Sequence, residues 1–227
     1  LGLMPAYDIR LDVNDANVKY PDLPLGISGI NAKARVANNA SDLDSLEVDV
    51  PFLSLNIGRN PIDATFFLRT PLSDPYVDAK LDGILNLAEL AQAFPMESTK
   101  GLRGKITANI AAKARMSQID RQQYESVNLR GSMQVENVLY QSSGYPSIQI
   151  EQMRMDFSPK FVDVQQIKAK LGKSDLTGKA RVDNILAYFS PKSTMRGDLT
   201  LRSSLIDANE WLTDEGQEAS APPSAAS

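Results

Sequence analysis

Apolar and polar residues alternate with a period of two along most of the chain. Tyr7, Ile9, Leu11 and Val13 interleave with Asp8, Arg10 and Asp12, and the rhythm returns at Leu46, Val48 and Val50. Alternation of this kind puts apolar side chains on one face of a strand and polar ones on the other. Across Pro51 the phase shifts to Leu53, Leu55 and Ile57, which predicts a bulge or a sheet edge. Further strands are predicted through Ile62, Ala64, Phe66 and Leu68 and through Val77, Ala79 and Leu81, with turns at Asn60-Pro61 and Ser73-Asp74-Pro75. The longest run, Ile106, Ala108, Ile110, Ala112, Ala114 and Met116, carries small residues on its apolar side, and Ala111 alone interrupts its polar side. After a polar loop at 117–123, strands are predicted through Val127, Leu129, Met133 and Val135, through 148–157 and through 162–171. Helical spacing is confined to 85–94, where Leu87, Leu90, Ala91 and Phe94 share a face and Pro95 closes the segment, and briefly to 185–189 and 208–212. The expected class is mainly β with a few short helices.

Composition narrows the chemistry. The 227 residues include no His and no Cys, so imidazole bases, thiolate nucleophiles, disulfides and Cys or His metal sites are excluded. With 24 Lys+Arg against 28 Asp+Glu there is no basic footprint for nucleic acid. No stretch approaches the roughly 18 apolar residues of a membrane span. The chain opens on Leu1 with no leader-like segment, so it is expected to be a fragment of a longer protein. Residues 213–227 are Asp, Glu, Gln, Ser, Ala and Pro without apolar period, the composition of a disordered tail or linker, leaving 1–212 as one β domain.

Several strands open on one phrase: Leu102-Arg103-Gly104-Lys105, Leu129-Arg130-Gly131-Ser132, Leu176-Thr177-Gly178-Lys179 and Met195-Arg196-Gly197-Asp198. The uneven spacing excludes a solenoid of fixed rungs, and each Gly predicts a bulge or bend. A second echo joins strand to short helix at 80–90, 180–189 and 199–212, with Asn or Asp at the candidate N-cap. Together with residues 73–83, 157–160, 171–176, 182–188 and 197–209, these phrases resemble the carboxy-terminal region of the AsmA family of bacterial envelope proteins, relatives of TamB-like proteins. The resemblance covers most of 7–212. It implies a long, curled antiparallel sheet forming a groove or partly closed barrel, whose apolar concave side carries lipid acyl chains. It also implies the periplasm of a Gram-negative bacterium, with an inner-membrane tether through an amino-terminal anchor that lies outside this sequence, and no catalysed reaction or cofactor.

One-sided strands need their apolar face covered, and few amphipathic helices are present to cover it. A closed sandwich or barrel would cover the face with the sheet itself; an open groove would leave it to a ligand. The candidate acyl-chain contacts are Ile106, Ala108, Ile110 and Ala112, where small side chains leave room, with Phe66, Leu68, Val135, Met153, Met155 and Phe157. At each of these positions plain core packing is the alternative. The expected partners are phospholipid or other acyl chains, and the alternative function is a scaffolding envelope module that binds proteins through its sheet edges. Gly172-Lys173-Ser174 lacks the earlier Gly and the following helix of a phosphate loop and reads as a turn. Arg196-Gly197-Asp198 is one instance of the strand-opening phrase. Asp8, Asp12, Asp42 and Asp44 read as solvated faces and turns, with a carboxylate-based carbohydrate enzyme as a third option.

Overall fold

In the computed structural model, residues 5–19, 25–40, 42–93, 101–141, 146–189 and 194–211 are described, and the tail assigned to 213–227 and the contribution of Phe94 and Pro95 lie outside them. Eleven strands form one antiparallel sheet in chain order: β1 (Tyr7–Val18), β2 (Ile27–Asn38), β3 (Leu46–Ile57), β4 (Asn60–Arg69), β5 (Tyr76–Asn86), β6 (Arg103–Arg115), β7 (Asn128–Tyr140), β8 (Ile148–Phe157), β9 (Phe161–Leu171), β10 (Ser174–Asp183) and β11 (Arg196–Arg202). The sheet is not closed into a barrel. Two short helices, α1 (Leu87–Ala93) and α2 (Met116–Asp120), and 3-10 turns at Leu43–Ser45, Tyr124–Ser126, Ile185–Phe189 and Ala208–Trp211 fill the connections.

Several local predictions need correction. The turn between β3 and β4 is Gly58-Arg59, with Gly58 at φ +59, and Asn60-Pro61 already belong to β4, opposite Ile57 and Asn56. Left-handed backbone suits Gly and makes the two-residue hairpin possible. At Pro51 the expected bulge is present and the alternative of a sheet edge is not, since β3 is an interior strand whose pairing breaks register there with both β2 and β4. Met116 starts α2 rather than ending β6, and the expected polar loop after it is partly helical because Asp74 accepts from the Ser117 N–H (2.8 Å) and hydroxyl (2.9 Å). Leu85 is the penultimate residue of β5, so α1 begins two residues later than the helical spacing suggested.

The connections at one end of the sheet are hydrogen-bonded into a chain. Asp44, between β2 and β3, accepts from the Leu72 and Ser73 N–H groups and the Ser73 hydroxyl, between β4 and β5. Asp74 in that second connection holds Ser117 after β6, and the Met116 N–H donates to the Pro75 carbonyl at 2.9 Å. The Tyr124 hydroxyl, before β7, donates to Asn184 Oδ1 after β10, and the Asn184 N–H reaches the Lys160 carbonyl before β9. Strands β6 and β10 are four places apart, about 19 Å in a flat sheet. The connections that follow them, β6–β7 and β10–β11, nevertheless meet.

These bonds favour ionised carboxylates. The Ser73 hydroxyl and N–H lower the Asp44 pKa below its ordinary 3.8, and the Leu205 N–H and Ser204 hydroxyl do the same to Asp175. For Asp74 burial acts upward, but the Ser117 donors and Arg115 outweigh it and the net shift is downward. Hydrogen bonds from Arg35 and then Arg10 lower Asp8 to about 2. Depressed values stabilise the fold above the unfolded value near 3.8, and that contribution is lost as pH falls through the folded values. Thermal melts should therefore show stability falling between about pH 4 and pH 2. The double variant Asp44→Asn, Asp74→Asn should be less stable at neutral pH and show a shallower acid slope; an unchanged slope would count against the bonded carboxylates as its source.

Candidate functional site

The register makes one face of the sheet apolar from edge to edge. Directly opposed residues share a face, so the pairing Val13, Ala32, Leu53, Ala64, Leu81, Ile110, Gly131, Phe157, Val162, Val182, Gly197 traces a single row across all eleven strands without one polar side chain. A parallel row runs Leu55, Ile62, Gly83, Ala108, Met133, Met155, Val164, Ala180, Leu199. The bulges at Pro51 and elsewhere preserve this phase, which is why apolar positions shift in sequence yet stay on one side in space.

All ten sequence-predicted contacts lie on this face. Phe66 and Leu68 stand opposite Ala79 and Val77, which stand opposite Ala112 and Ala114. Ile110 faces Gly131 and then Phe157; Ala108 faces Met133 and then Met155; Ile106 faces Val135 and then Met153. Their surroundings differ, however. At one end α1 lays Leu87 and Leu90 over Ile106, Val135, Val138, Met133 and Met153, and Val135 is only 4% exposed. At the other end Ile119, Val127 and Leu186 pack on Ile110, Ala112, Leu129 and Phe157. Six of the ten, namely Ile106, Val135, Met153, Ile110, Ala112 and Phe157, are therefore packed against the chain's own caps. Ala108 and Met155 lie in neither cluster of the described residues.

Toward β1 and β11 the face is open. Ile9, Leu11, Phe66, Leu81, Leu199 and Leu201 are exposed and belong to neither buried cluster of the described residues. β2 is absent from the predicted strands, although Ile30, Ala32, Ala34 and Val36 carry the alternation, and Leu81 and Leu199 are absent from the predicted contacts. Strand patterning could have found them; the caps that distinguish open from covered positions are long-range and could not be read.

The cap at the α1 end is held by a glutamate. Asn86 Oδ1 caps α1 by accepting from the Ala88 and Glu89 N–H groups. Glu89 Oε2 then accepts from the Arg59 N–H (3.0 Å) and from Asn60 Nδ2 (2.7 Å), gripping the β3–β4 turn. The same device recurs after β11: Asp207 Oδ1 accepts from the Asn209 N–H, and Glu210 Oε2 from the Lys173 N–H at 2.7 Å in the β9–β10 turn. Both turns place Gly at positive φ, Gly58 and Gly172, and a Cβ there would strike the glutamate. The two sequence echoes at 80–90 and 199–212 thus mark structurally equivalent clamps, whereas at 180–189 Asn184 accepts from Tyr124 instead of capping.

The opposite face is polar and carries ion pairs such as Lys113 with Asp78 (3.0 Å) and Lys168 with Glu151 (2.6 Å). A hollow of about 380 Å³ on it is lined by Phe52, Asp63, Thr65, Lys80, Asp82, Asn109 and Arg130. Asp63 and Asp82 oppose one another there, and Asp82 accepts from Asn109. The four acidic residues singled out in the sequence are engaged elsewhere: Asp8 with Arg35, Asp12 with Lys33, Asp42 with Ser45 and Asp44 with Ser73. Among the described residues no group of three or more acidic side chains is arranged to hold a metal ion, and no helix is long and apolar enough to cross a membrane. Comparison with known proteins finds no matching family model, curated protein or solved structure.

Proposed function

We propose that the uncovered part of the apolar face binds lipid acyl chains, as the resemblance to AsmA-like envelope proteins implies, and that the domain acts as a non-catalytic groove in phospholipid transport or outer-membrane homeostasis. The observation that carries this reading is the unbroken apolar row across eleven strands combined with caps that cover only its middle. A face of this extent costs free energy in water at about 25 cal/mol per Å², and acyl chains are long, flexible and featureless enough to fill it without hydrogen-bonding groups. The small residues Ala79, Gly83, Ala108 and Ala180 leave depth for a methylene chain between larger neighbours. The periplasmic setting belongs to the same proposal.

Leu81 is the position for the test. It is 43% exposed, so a charge there meets water and the fold survives, whereas aspartate at Val135 would unfold the middle of the sheet. Native mass spectrometry of gently purified chain should show co-purifying phospholipid, and Leu81→Asp should lower affinity for a fluorescent fatty acid roughly tenfold, about 1.4 kcal/mol, with an unchanged far-ultraviolet spectrum. A lipid-free wild-type chain that also binds no fatty acid would sink the proposal.

A further inference from the structure

β1 forms one lateral edge of the sheet, with its second side unpaired by any described strand. An edge presents a row of N–H and C=O groups ready to pair, and natural edges are commonly blocked by proline, a bulge or an inward charge. From Tyr7 to Val13 β1 has none of these: its register with β2 is uninterrupted, and the first irregularity comes only after Val13, next to Asp15 at φ +50. Ile9 and Leu11 are 61% and 56% exposed on the apolar face. On the polar face Arg10 and Asp12 have side chains 75% and 56% exposed; Arg10 contacts Asp8 at 3.3 Å, and Asp12 accepts from Asn14 Nδ2 at 3.2 Å and pairs with Lys33 at 3.4 Å, all exposed contacts.

We propose that β1 pairs with β1 of a second copy of this chain, antiparallel and centred on Leu11, through a twofold axis normal to the sheet. In this register Leu11 meets Leu11, Ile9 meets Val13 twice, and Arg10 meets Asp12 twice; Asp8 and Asn14 close the ends. The stretch Asp8-Ile9-Arg10-Leu11-Asp12-Val13-Asn14 is thus complementary to itself when reversed, in charge as well as in apolar pattern. Rotation by half a turn in the plane of the sheet reverses strand direction but keeps the face, so the two apolar faces become one continuous surface. The contact is isologous and closes at two copies.

The alternatives at the edges are worse. β11 paired with itself about its midpoint Leu199 sets Arg196 against Arg202, and about Asp198 it sets that carboxylate against itself. β1 and β11 run in the same direction in the meander, so β11 against β1 of another copy, with the face kept on one side, would be parallel and would build an open filament. A single strand pair buries less than the roughly 1,200 Å² of a standard interface, so the dimer is expected at micromolar concentrations.

The inference goes beyond acyl-chain binding and stands or falls separately, because the test needs no lipid. Sedimentation of the delipidated chain at about 100 µM should give twice the 24.8 kDa monomer mass. Arg10→Asp should give monomer by setting a second carboxylate against Asp12, and adding Asp12→Arg should restore the dimer, a rescue that mere damage to the strand would not allow. Because the chain contains no cysteine, Leu11→Cys should yield a disulfide-linked dimer on oxidation and Ile9→Cys should not, since opposed residues in an antiparallel pair lie about 4.5–5.5 Å apart. A monomeric wild-type chain, a double variant that stays monomeric, or cross-linking of the Ile9→Cys variant in place of Leu11→Cys would each overturn the proposal.

Discussion

A chain carrying Gly131→Ala is expected to lose about 3 kcal/mol or more of unfolding free energy, the largest effect of any single methyl group in this sheet. Gly131 sits inside β7 at φ +134, a conformation strongly disfavoured for side-chain-bearing residues, and a Cβ there would lie 1.9 Å from the Asn109 carbonyl oxygen and 2.8 Å from the Ile110 Cα. Both obstacles are backbone, so no side-chain rotation relieves them; β6 and β7 would have to separate where the middle of the apolar row crosses them. Gly197 provides the control. In β11 the nearest atom to an added Cβ is 3.8 Å away, so Gly197→Ala should move the denaturation midpoint little, within about 0.5 kcal/mol. Urea melts of both variants against the parent chain check the contrast, and equal effects would remove the close-approach explanation.

Leu87→Ala should cost about 2–4 kcal/mol, within the usual range for a buried leucine that leaves a void. Leu87 is 5% exposed and joins Val135 and Val138 in the cluster beneath α1. The seven-residue helix is too short to persist without that anchor and the Glu89 grip on the β3–β4 turn. Its loss should uncover Ile106, Met133 and Met153, so the variant is expected to bind an apolar fluorescent dye more strongly while keeping its strand content. Hydrogen exchange across 133–138 reads the same event. Faster exchange confined to that segment is the expected result; a uniform rise over the whole sheet would mean that α1 is not a separable cap.

The strand content was legible because each strand is one-sided. When one face meets water and the other does not, the period of two is written into the residues themselves, as at β1, β4 and β6. Even the bulge at Pro51 showed as a change of phase. β2 escaped because two of its four alternating positions, Ala32 and Ala34, are Ala among Asn, Lys and Arg, a weaker contrast than Leu against Asp. Asn60-Pro61 has the composition of a turn, yet the turn falls just before it, because Gly58 supplies the left-handed residue that a two-residue hairpin requires. α2 could not be foreseen, since its polar segment contains one buried side chain, Ile119, and is held by Asp74 from a connection 43 residues earlier. The ten candidate contacts share one face, but which of them lie under a cap depends on residues brought together from β5–β6, β6–β7 and β10–β11 connections. Local periodicity carries no information about such meetings.

The order of the strands has a kinetic corollary. Every strand is hydrogen-bonded only to its neighbours in the chain, so the sheet behaves as a zipper with a single coordinate rather than as a globule with many simultaneous closures. Three of the ten pairings are closed by two or three residues and none by more than sixteen, so every pairing is local in the chain, which keeps loop-closure entropy small and favours hairpin-by-hairpin growth despite the size of the sheet. The capped central strands, where β6 and β7 hold the two buried clusters, would be the last to part under heat or mechanical tension.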